Sequence, residues 1–335
     1  MINIGVIGAG RMGRIHVENI QKRIPNARVC AIAKRHFLDE TRAWAADLSI
    51  DKLYTDFMDL IKDREVDAIL VTSPVGTHKK IALAAIREHK HVLCEKPLDV
   101  SADNIIEIIR ELKDSNIKFQ VGFNRRFDPA YARVKEAAET GELGRVFMVK
   151  MTSKDMNPPS YEYVASSGGQ IIDSAIHEID LARFLTGDEV DEVYAAGNAL
   201  IDPNVAKYGD TDVLVITMKM TRGAYVVVDI ARKSPAGADR RVEVFGEKSI
   251  VIVNNNKSDL LTTLNMAGAV TAPPTDGLTR FAQSWLNETR TFVNCIEENL
   301  ESPVGAYDGL QAILIATAAN RSLKEKRVVK ITEIN

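Results

Sequence analysis

Four short stretches of this 335-residue chain combine residue types that could do chemistry. The first is G-A-G-R-M-G, with Gly8, Gly10 and Gly13 directly after an apolar run, Ile2 to Ile7, and at the head of an amphipathic stretch, Arg11 to Arg23. That spacing suits a dinucleotide. Gly8 permits the tight turn out of a strand, Gly10 lets the backbone approach a pyrophosphate, and Gly13 lets helix and strand pack closely. Free N–H groups at the helix start, around Arg11 and Met12, would then face the phosphates. A purely structural turn is the alternative, and the strand-before, helix-after placement favours the cofactor.

The second stretch follows the next apolar run, about 20 residues on. An acidic residue there would accept the ribose hydroxyls of NAD. The chain instead reads A-I-A-K-R-H-F, placing Lys34, Arg35 and His36 at that point. Such cations match a 2′-phosphate, which predicts NADP in preference to NAD; the alternative is a solvated basic loop. The third stretch is V-L-C-E-K-P-L, Val92 to Leu98. It closes another strand-like run, and ligands of open α/β sheets bind outside the carboxyl ends of the strands. Lys96 is thereby placed to meet a reacting carbon, although by residue type alone an E-K-P tripeptide is more often a turn. Pro97 fixes its own φ and biases Lys96 toward extended backbone.

The fourth stretch, G-G-Q-I-I-D-S-A-I-H-E-I-D, sets Asp173 four residues before His177. On a helix the two share a face. A carboxylate that orients an imidazole makes a sensible general base for an alcohol, but taken alone the pair is as well read as a brace within a helix. With no third strong ligand nearby, a metal centre fits less well.

Elements must position these residues. The first ~120 residues alternate short apolar runs with amphipathic stretches, the pattern of a parallel sheet with crossover helices. Strands are expected at Ile2 to Ile7, Val29 to Ala33, Ala68 to Val71, Val92 to Cys94 and Phe119 to Val121. Helices are expected at Arg11 to Arg23, Leu38 to Leu48, His78 to Glu88 and Ala102 to Ser115, the last two with Thr77 and Ser101 as N-caps. After Gly122 the strand signals lengthen and follow one another across turns such as Asp202-Pro203-Asn204, Thr221-Arg222-Gly223 and Gly246-Glu247-Lys248, which predicts a mostly antiparallel sheet. Helices are expected at Ile171 to Leu185, Arg280 to Glu298 and Tyr307 to Lys324, with a Gly/Pro/Ala-rich loop over 267–277. The fold class is α/β: a dinucleotide-binding domain over 1–122 and an α+β domain over 123–335.

Composition narrows the partners. Against 46 acidic residues stand 43 basic ones, a net charge of −3, so no global field draws the chain to nucleic acid or an anionic membrane. No apolar window is long enough to span a bilayer. Cys30, Cys94 and Cys295 are sparse and odd in number, which suits a reducing, cytoplasmic setting. Cys94 reads as a buried strand residue, and the N-x-S/T patterns at Asn287 and Asn320 fall in expected helices.

Taken together, G-A-G-R-M-G, T-S-P-V-G-T-H (Thr72 to His78), E-K-P, F-N-R-R-F-D (Phe123 to Asp128) and the D-x-x-x-H helix resemble the glucose-fructose oxidoreductase/inositol dehydrogenase/rhizopine catabolism family, in order and spacing over essentially the whole chain. Within it the likeness is greatest to the inositol 2-dehydrogenases. The resemblance implies a nicotinamide-dependent dehydrogenase of cyclic polyols or sugars. In it Lys96 would polarise the reacting hydroxyl, and Asp173 and His177 would form the acid/base dyad. Arg126, Asp155 and Asn157 would join Lys96, Asp173 and His177 in contacting substrate. Ser73, Glu95 and Lys96 would line the cofactor, as would His78, for which packing fits equally well. The resemblance also implies a homotetramer assembled on the open face of the second sheet, where Val213, Val215 and Thr217 alternate outward.

Two departures stand out. Family members of the inositol type mostly carry an acid where this chain has Lys34. Near-relatives often have a Y-G-Y-D segment where this chain has Ala236-Gly237-Ala238-Asp239, which implies a wider pocket if that loop lines it. The leading expectation is hydride transfer between a ring secondary alcohol and NADP. Oxidation of an aldose to a lactone is the runner-up, and a dinucleotide-sensing regulator without turnover is the reading from another class.

Overall fold

The computed structural model describes residues 1–257, 261–266, 268–271 and 276–334. They fall into two compact units: Met1–Phe127 with Gln283–Ile313, and Asp128–Ala282 with the residues from Leu314 onward. The second domain expected as one stretch over 123–335 is therefore discontinuous. The chain crosses at 127/128 and later returns a 31-residue excursion to the first unit.

In the first unit the chain runs β1 (Ile2–Ile7), α1 (Arg11–Arg23), β2 (Ala27–Ala33), α2 (Asp39–Asp47), β3 (Lys52–Tyr54), α3 (Phe57–Lys62), β4 (Ala68–Val71), α4 (His78–Arg87), β5 (His91–Glu95), α5 (Ala102–Leu112) and β6 (Phe119–Gly122). The six strands form one sheet in the order β3-β2-β1-β4-β5-β6, all parallel. Helices cover such a sheet on both faces, so its central strands are apolar throughout. Ile4 and Val6 of β1, all of β4, and Val92 to Cys94 of β5 are buried. Two short elements, β3 and α3, carry no clear periodic signal; α3 is instead opened by Asp56, whose carboxylate accepts from Met58 N–H at 2.9 Å. Thr77 and Ser101 occupy N-cap positions, but neither side chain caps its helix. The Thr77 hydroxyl turns back to Pro74 O at 2.7 Å.

The second unit runs α6 (Pro129–Glu139), β7 (Val146–Lys154), α7 (Tyr161–Ser166), a π-helical turn over Ile171–Ala175, α8 (Ile176–Thr186), β8 (Val190–Asn198), β9 (Val213–Met220), β10 (Tyr225–Ala231), β11 (Asp239–Gly246), β12 (Ile250–Val253), β13 (Thr262–Asn265) and β14 (Gly268–Thr271). Two long helices follow, α9 (Gly277–Glu297) and α10 (Ala306–Glu325), then β15 (Val329–Lys330); each of the two helices has residues in both units. Seven strands form a sheet in the order β12-β11-β7-β10-β9-β8-β15. Every pairing is antiparallel except β7 with β10. That parallel pair arises because β7 is separated from β10 by the helical segment and two other strands, so no tight turn fixes its direction.

One face of this sheet is closed: Leu214, Ile216, Met218 and Met220 are buried along β9. The opposite face mixes exposed apolar residues, Val215, Tyr225 and Phe245, with ion pairs such as Lys150–Glu243 at 2.9 Å. Of the turns read from sequence, Thr221-Arg222-Gly223 joins β9 to β10 with Gly223 at φ 92°, as a tight hairpin demands. Asp202-Pro203-Asn204 is more than a turn: it opens a 3₁₀ helix over Pro203–Tyr208, capped by Asp202. Within the loop expected over 267–277, residues 268–271 form β14, while 267 and 272–275 lie outside the described residues. Among the described residues no helix is long and apolar enough to cross a membrane, and Cys30, Cys94 and Cys295 are free thiols.

Candidate active site

The glycine loop is built as its spacing predicts. Gly8 leaves β1 at φ 106°, and a Cβ there would meet Thr72 and Ser73 backbone atoms at 2.8 Å. Gly13 packs α1 against that turn so closely that a Cβ would lie 2.1 Å from Gly8 O. At Gly10 a Cβ would meet nothing within 4 Å. Two glycines are thus required by packing, whereas Gly10 leaves open backbone at the start of α1. That is the arrangement that admits a pyrophosphate to helix N–H groups. Arg11 is exposed and Met12 half-buried at the same helix start.

Lys34 and Arg35 follow β2, whose last residue Ala33 accepts from Gly8 N–H at 3.0 Å. The basic run therefore sits beside the glycine loop at the carboxyl edge of the sheet. Arg35 and His36 are exposed and Lys34 is half-buried. Among the described residues neither Lys34 nor Arg35 has an acidic partner within ion-pair distance, in contrast to Lys52 nearby, which Asp63 holds at 2.8 Å.

The E-K-P segment leaves β5 at the same edge. Its peptide bond Lys96–Pro97 is cis. Two buried histidines brace it from either side. His78 at the head of α4 has Nδ1 3.0 Å from Pro97 O and Nε2 2.7 Å from Ser73 O, so it ties the E-K-P loop to the loop after β4. His78 is 2% exposed, and its two ring nitrogens meet the backbone carbonyls of Pro97 and Ser73. On the other side His16 of α1 meets Glu95 Oε1 at 3.1 Å, and Glu95 Oε2 accepts from Lys96 N–H at 3.2 Å. Gly122, at the end of β6, makes room for this loop, since a Cβ there would lie 2.9 Å from Glu95 Cα. His16 and Gly122 carried no motif signal, because each matters only through strands and helices far from it in sequence.

Arg126 also belongs to the first unit, where its guanidinium donates to Asp308 Oδ1 at 2.8 Å and Pro303 O at 3.3 Å. The ion pair anchors the segment after β6 to the returning chain.

In the second unit the helix bearing Asp173 and His177 is not uniformly α-helical. Asp173 lies in the π-helical turn and His177 in the first turn of α8. Such insertions recur at functional sites because they re-aim side chains on an otherwise regular helix. The segment starts from Gly168 and Gly169, both left-handed at φ 82° and 88°, a conformation glycine adopts without strain. Tyr163 and Arg232 approach Asp173 from two directions. Tyr163 of α7 donates its hydroxyl to Asp173 Oδ1 at 2.7 Å, and Arg232 Nη1 lies 3.7 Å from Asp173 Oδ2. Arg232 is almost fully buried and also donates to Asp210 Oδ2 at 2.8 Å, while Asp210 Oδ1 accepts from Gln170 N–H at 2.8 Å. Tyr163, Asp210 and Arg232 were absent from the sequence reading: they sit on three separate elements. Asp155 pairs with the buried Arg240, and Asn157 is exposed. Ala236 is exposed, whereas Ala238 is 2% exposed, so the second of these positions is already packed.

A six-stranded parallel sheet with a dinucleotide-type glycine turn, joined to a mostly antiparallel α+β unit that carries an Asp–His pair, defines a two-unit oxidoreductase of the Rossmann class. Residues 2–123 match the oxidoreductase family with an NAD-binding Rossmann fold, and residues 131–252 match the GFO/IDH/MocA C-terminal domain. The chain belongs to the GFO/IDH/MocA family. It is 40% identical to an uncharacterised oxidoreductase, YrbE, of Bacillus subtilis over 95% of this chain and 93% of that one. It is 37% identical to a myo-inositol 2-dehydrogenase of Thermotoga maritima over 99% of both. Among solved structures, scyllo-inositol dehydrogenase from Lactobacillus casei, with bound NAD(H) and scyllo-inositol, superposes with a TM-score of 0.92 at 29% identity, covering 99% of each chain.

Proposed function

We propose that this protein is a cyclic-polyol dehydrogenase that moves a hydride between a ring secondary alcohol and a nicotinamide cofactor, with NADP preferred to NAD. The observation that carries the reading is the braced Lys96, held at the carboxyl edge of the sheet that also presents the glycine loop. The nicotinamide, when bound, supplies the hydride acceptor. Gly8, Gly10, Arg11, Met12 and Gly13 would hold the pyrophosphate, Lys34 and Arg35 a 2′-phosphate, and Ser73, Glu95 and Lys96 the remaining edge of the cofactor. His177 removes the hydroxyl proton, Asp173 orients the imidazole and stabilises its protonated form, and Lys96 donates to the oxygen as negative charge develops. Arg126, Asp155 and Asn157 are proposed substrate contacts, of which Arg126 and Asp155 would have to exchange or share their present partners.

Support comes from the inositol-acting relatives and from the absence of an acid at position 34. The unpaired cations at Lys34 and Arg35 are what set the cofactor preference apart from the NAD(H) found in the Lactobacillus casei structure. The proposal extends to a cytoplasmic homotetramer. Free cysteines support the compartment, and the exposed Val215, Tyr225 and Phe245 on the open sheet face support the assembly. The test is reduced-nicotinamide absorbance with NADP and with NAD against a panel of inositols and aldoses. Turnover of a cyclitol is the expected result. Turnover of aldoses alone moves the reaction to lactone formation, and tight cofactor binding without any turnover makes the protein a sensor.

A further inference from the structure

Behind the E-K-P loop, wholly within the first unit, lies a cluster of which the reaction as proposed uses only Glu95. Glu288 of α9 is fully buried, and neither of its carboxyl oxygens has a hydrogen-bond partner. Its Oε2 stands 4.0 Å from His16 Nε2, and that same nitrogen is the one that meets Glu95 Oε1. The three ligating atoms lie within 4.8 Å of one another. Two carboxyl groups so close in a dry site cannot both ionise cheaply. Burial, and the Glu95 charge beside it, push Glu288 well above the usual carboxylate range.

The protons can be counted from the donors. Thr289 has one hydroxyl proton, and it goes to Trp285 O at 2.9 Å. Its oxygen is left to accept from His16 Nδ1 at 2.8 Å, so Nδ1 carries a hydrogen. The 3.1 Å contact between Nε2 and Glu95 Oε1 is a hydrogen bond only with a proton on one of the two atoms. The opposite oxygen of Glu95 accepts the Lys96 N–H. From β6 the uncharged Gln120 donates to the Glu288 backbone carbonyl at 3.0 Å.

We propose that His16, Glu95 and Glu288 form a buried proton-holding site that keeps the Glu95 carboxyl group turned to Lys96 N–H, making His16 and Glu288 positioning residues for Lys96. The proton site stands on the first unit alone, whereas its link to turnover rests on the dehydrogenase reading above. Because the Glu288 proton is bound more tightly in the folded chain than in the unfolded one, the stabilisation is full below the ordinary carboxylate range. It is lost as pH rises toward the raised value. Glutamine has the shape of the protonated acid and does not titrate.

The experiment compares the full-length wild type with Glu288→Gln, His16→Phe and His16→Gln. Infrared difference spectra of the wild type near neutral pH should show a protonated-carboxyl C=O band that Glu288→Gln removes. The melting temperature of the wild type should fall more steeply than that of Glu288→Gln as pH rises above the ordinary carboxylate range. In kinetics, His16→Phe should lower kcat roughly 10-fold, the loss of one charge-assisted hydrogen bond, with cofactor KM within about threefold; His16→Gln, which restores a donor to Glu95, should recover part of it. A band that survives Glu288→Gln, or coincident pH slopes, overturns the proton assignment. So does a stoichiometric divalent ion in the purified wild type that Glu288→Gln releases. A His16→Phe variant with unchanged kcat overturns the positioning role. A wild type that turns over no polyol or sugar overturns the dehydrogenase reading instead, and the infrared and unfolding results still decide the proton site.

Discussion

The two units solve opposite electrostatic problems around their functional carboxylates. In the first, Glu95 and Glu288 crowd one imidazole, and the solution is to hold protons: Glu288 is kept neutral by burial and by its neighbour. In the second, Asp173 faces the Tyr163 hydroxyl and the Arg232 guanidinium, and Arg232 in turn is balanced by Asp210. The difference matches the work each carboxyl group would do. A carboxyl that accepts the backbone N–H of Lys96, as Glu95 does, needs position more than charge. A carboxyl that stabilises an imidazolium on His177 must stay ionised. Low dielectric serves the first arrangement, and a buried cation paired with carboxylates serves the second.

The largest test of that division removes the groups it positions. Lys96→Ala and His177→Ala should each lower kcat by roughly 10²–10⁴-fold while cofactor binding, measured by fluorescence titration, changes by no more than a few-fold. The pH profiles should differ between the two. Loss of His177 removes the limb on which a base must be deprotonated, whereas loss of Lys96 leaves that limb in place. Near-normal kcat in either variant would take that residue out of the chemistry.

A smaller but cleaner effect concerns the cofactor edge. Lys34 and Arg35 stand without acidic partners among the described residues, and each charge-assisted hydrogen bond to a 2′-phosphate contributes about 1.5–3 kcal/mol. The wild type should therefore favour NADP over NAD by on the order of 10-fold or more in kcat/KM. Lys34→Asp with Arg35→Val should reverse the order, because a carboxylate can accept from the ribose hydroxyls. Equal efficiencies with the two cofactors in the wild type would reduce the run to a solvated loop.

Tyr163→Phe probes the charged side directly. It deletes one of the groups that hold Asp173 and leaves Arg232 in place, so kcat should fall by about 10-fold, the equivalent of one hydrogen bond to a charged group. The acid limb of the profile should move while the KM for cofactor does not. An unchanged profile would mean that Arg232 alone fixes Asp173.

How far these arrangements could be read in advance depended on sequence distance. The glycine turn is local: strand, three glycines and helix lie within about 20 residues, and the structure repeats the expected β1 and α1 end to end. The four apolar runs after it became β2, β4, β5 and β6 for the same reason. β3 has three residues and α3 six, too few for a period to register. Glu288 and Arg232 were invisible for another reason. Glu288 reaches Glu95 only because the chain returns to the first unit after leaving it, and Arg232 meets Asp173 from the end of β10. A buried Glu in a helix and an Arg after a strand look like surface residues until the partner is known. The π-helical turn, likewise, leaves no mark in hydrophobic spacing.

The smallest expected effect lies at the Ala236-Gly237-Ala238 segment, and the structure separates its two alanines. Ala236 is exposed and Gly237 is left-handed at φ 90°, so a tyrosine at 236 would project from a turn without displacing packed atoms. Ala238 is buried immediately before β11, where Asp239 holds Arg241 at 2.7 Å. A ring forced into that space costs about 1–3 kcal/mol of stability. Ala236→Tyr should therefore keep the wild-type melting temperature and shift the ratio of kcat/KM between unsubstituted and substituted inositols by a few-fold, about 1 kcal/mol of discrimination. Ala238→Tyr should lower the melting temperature by several degrees, as calorimetry would show, whatever it does to selectivity. If Ala236→Tyr leaves every substrate's kcat/KM unchanged, the segment does not line the pocket. If Ala238→Tyr melts with the wild type, the apparent filling at 238 yields to a small shift of the turn, and the selectivity difference must then be sought in both positions together.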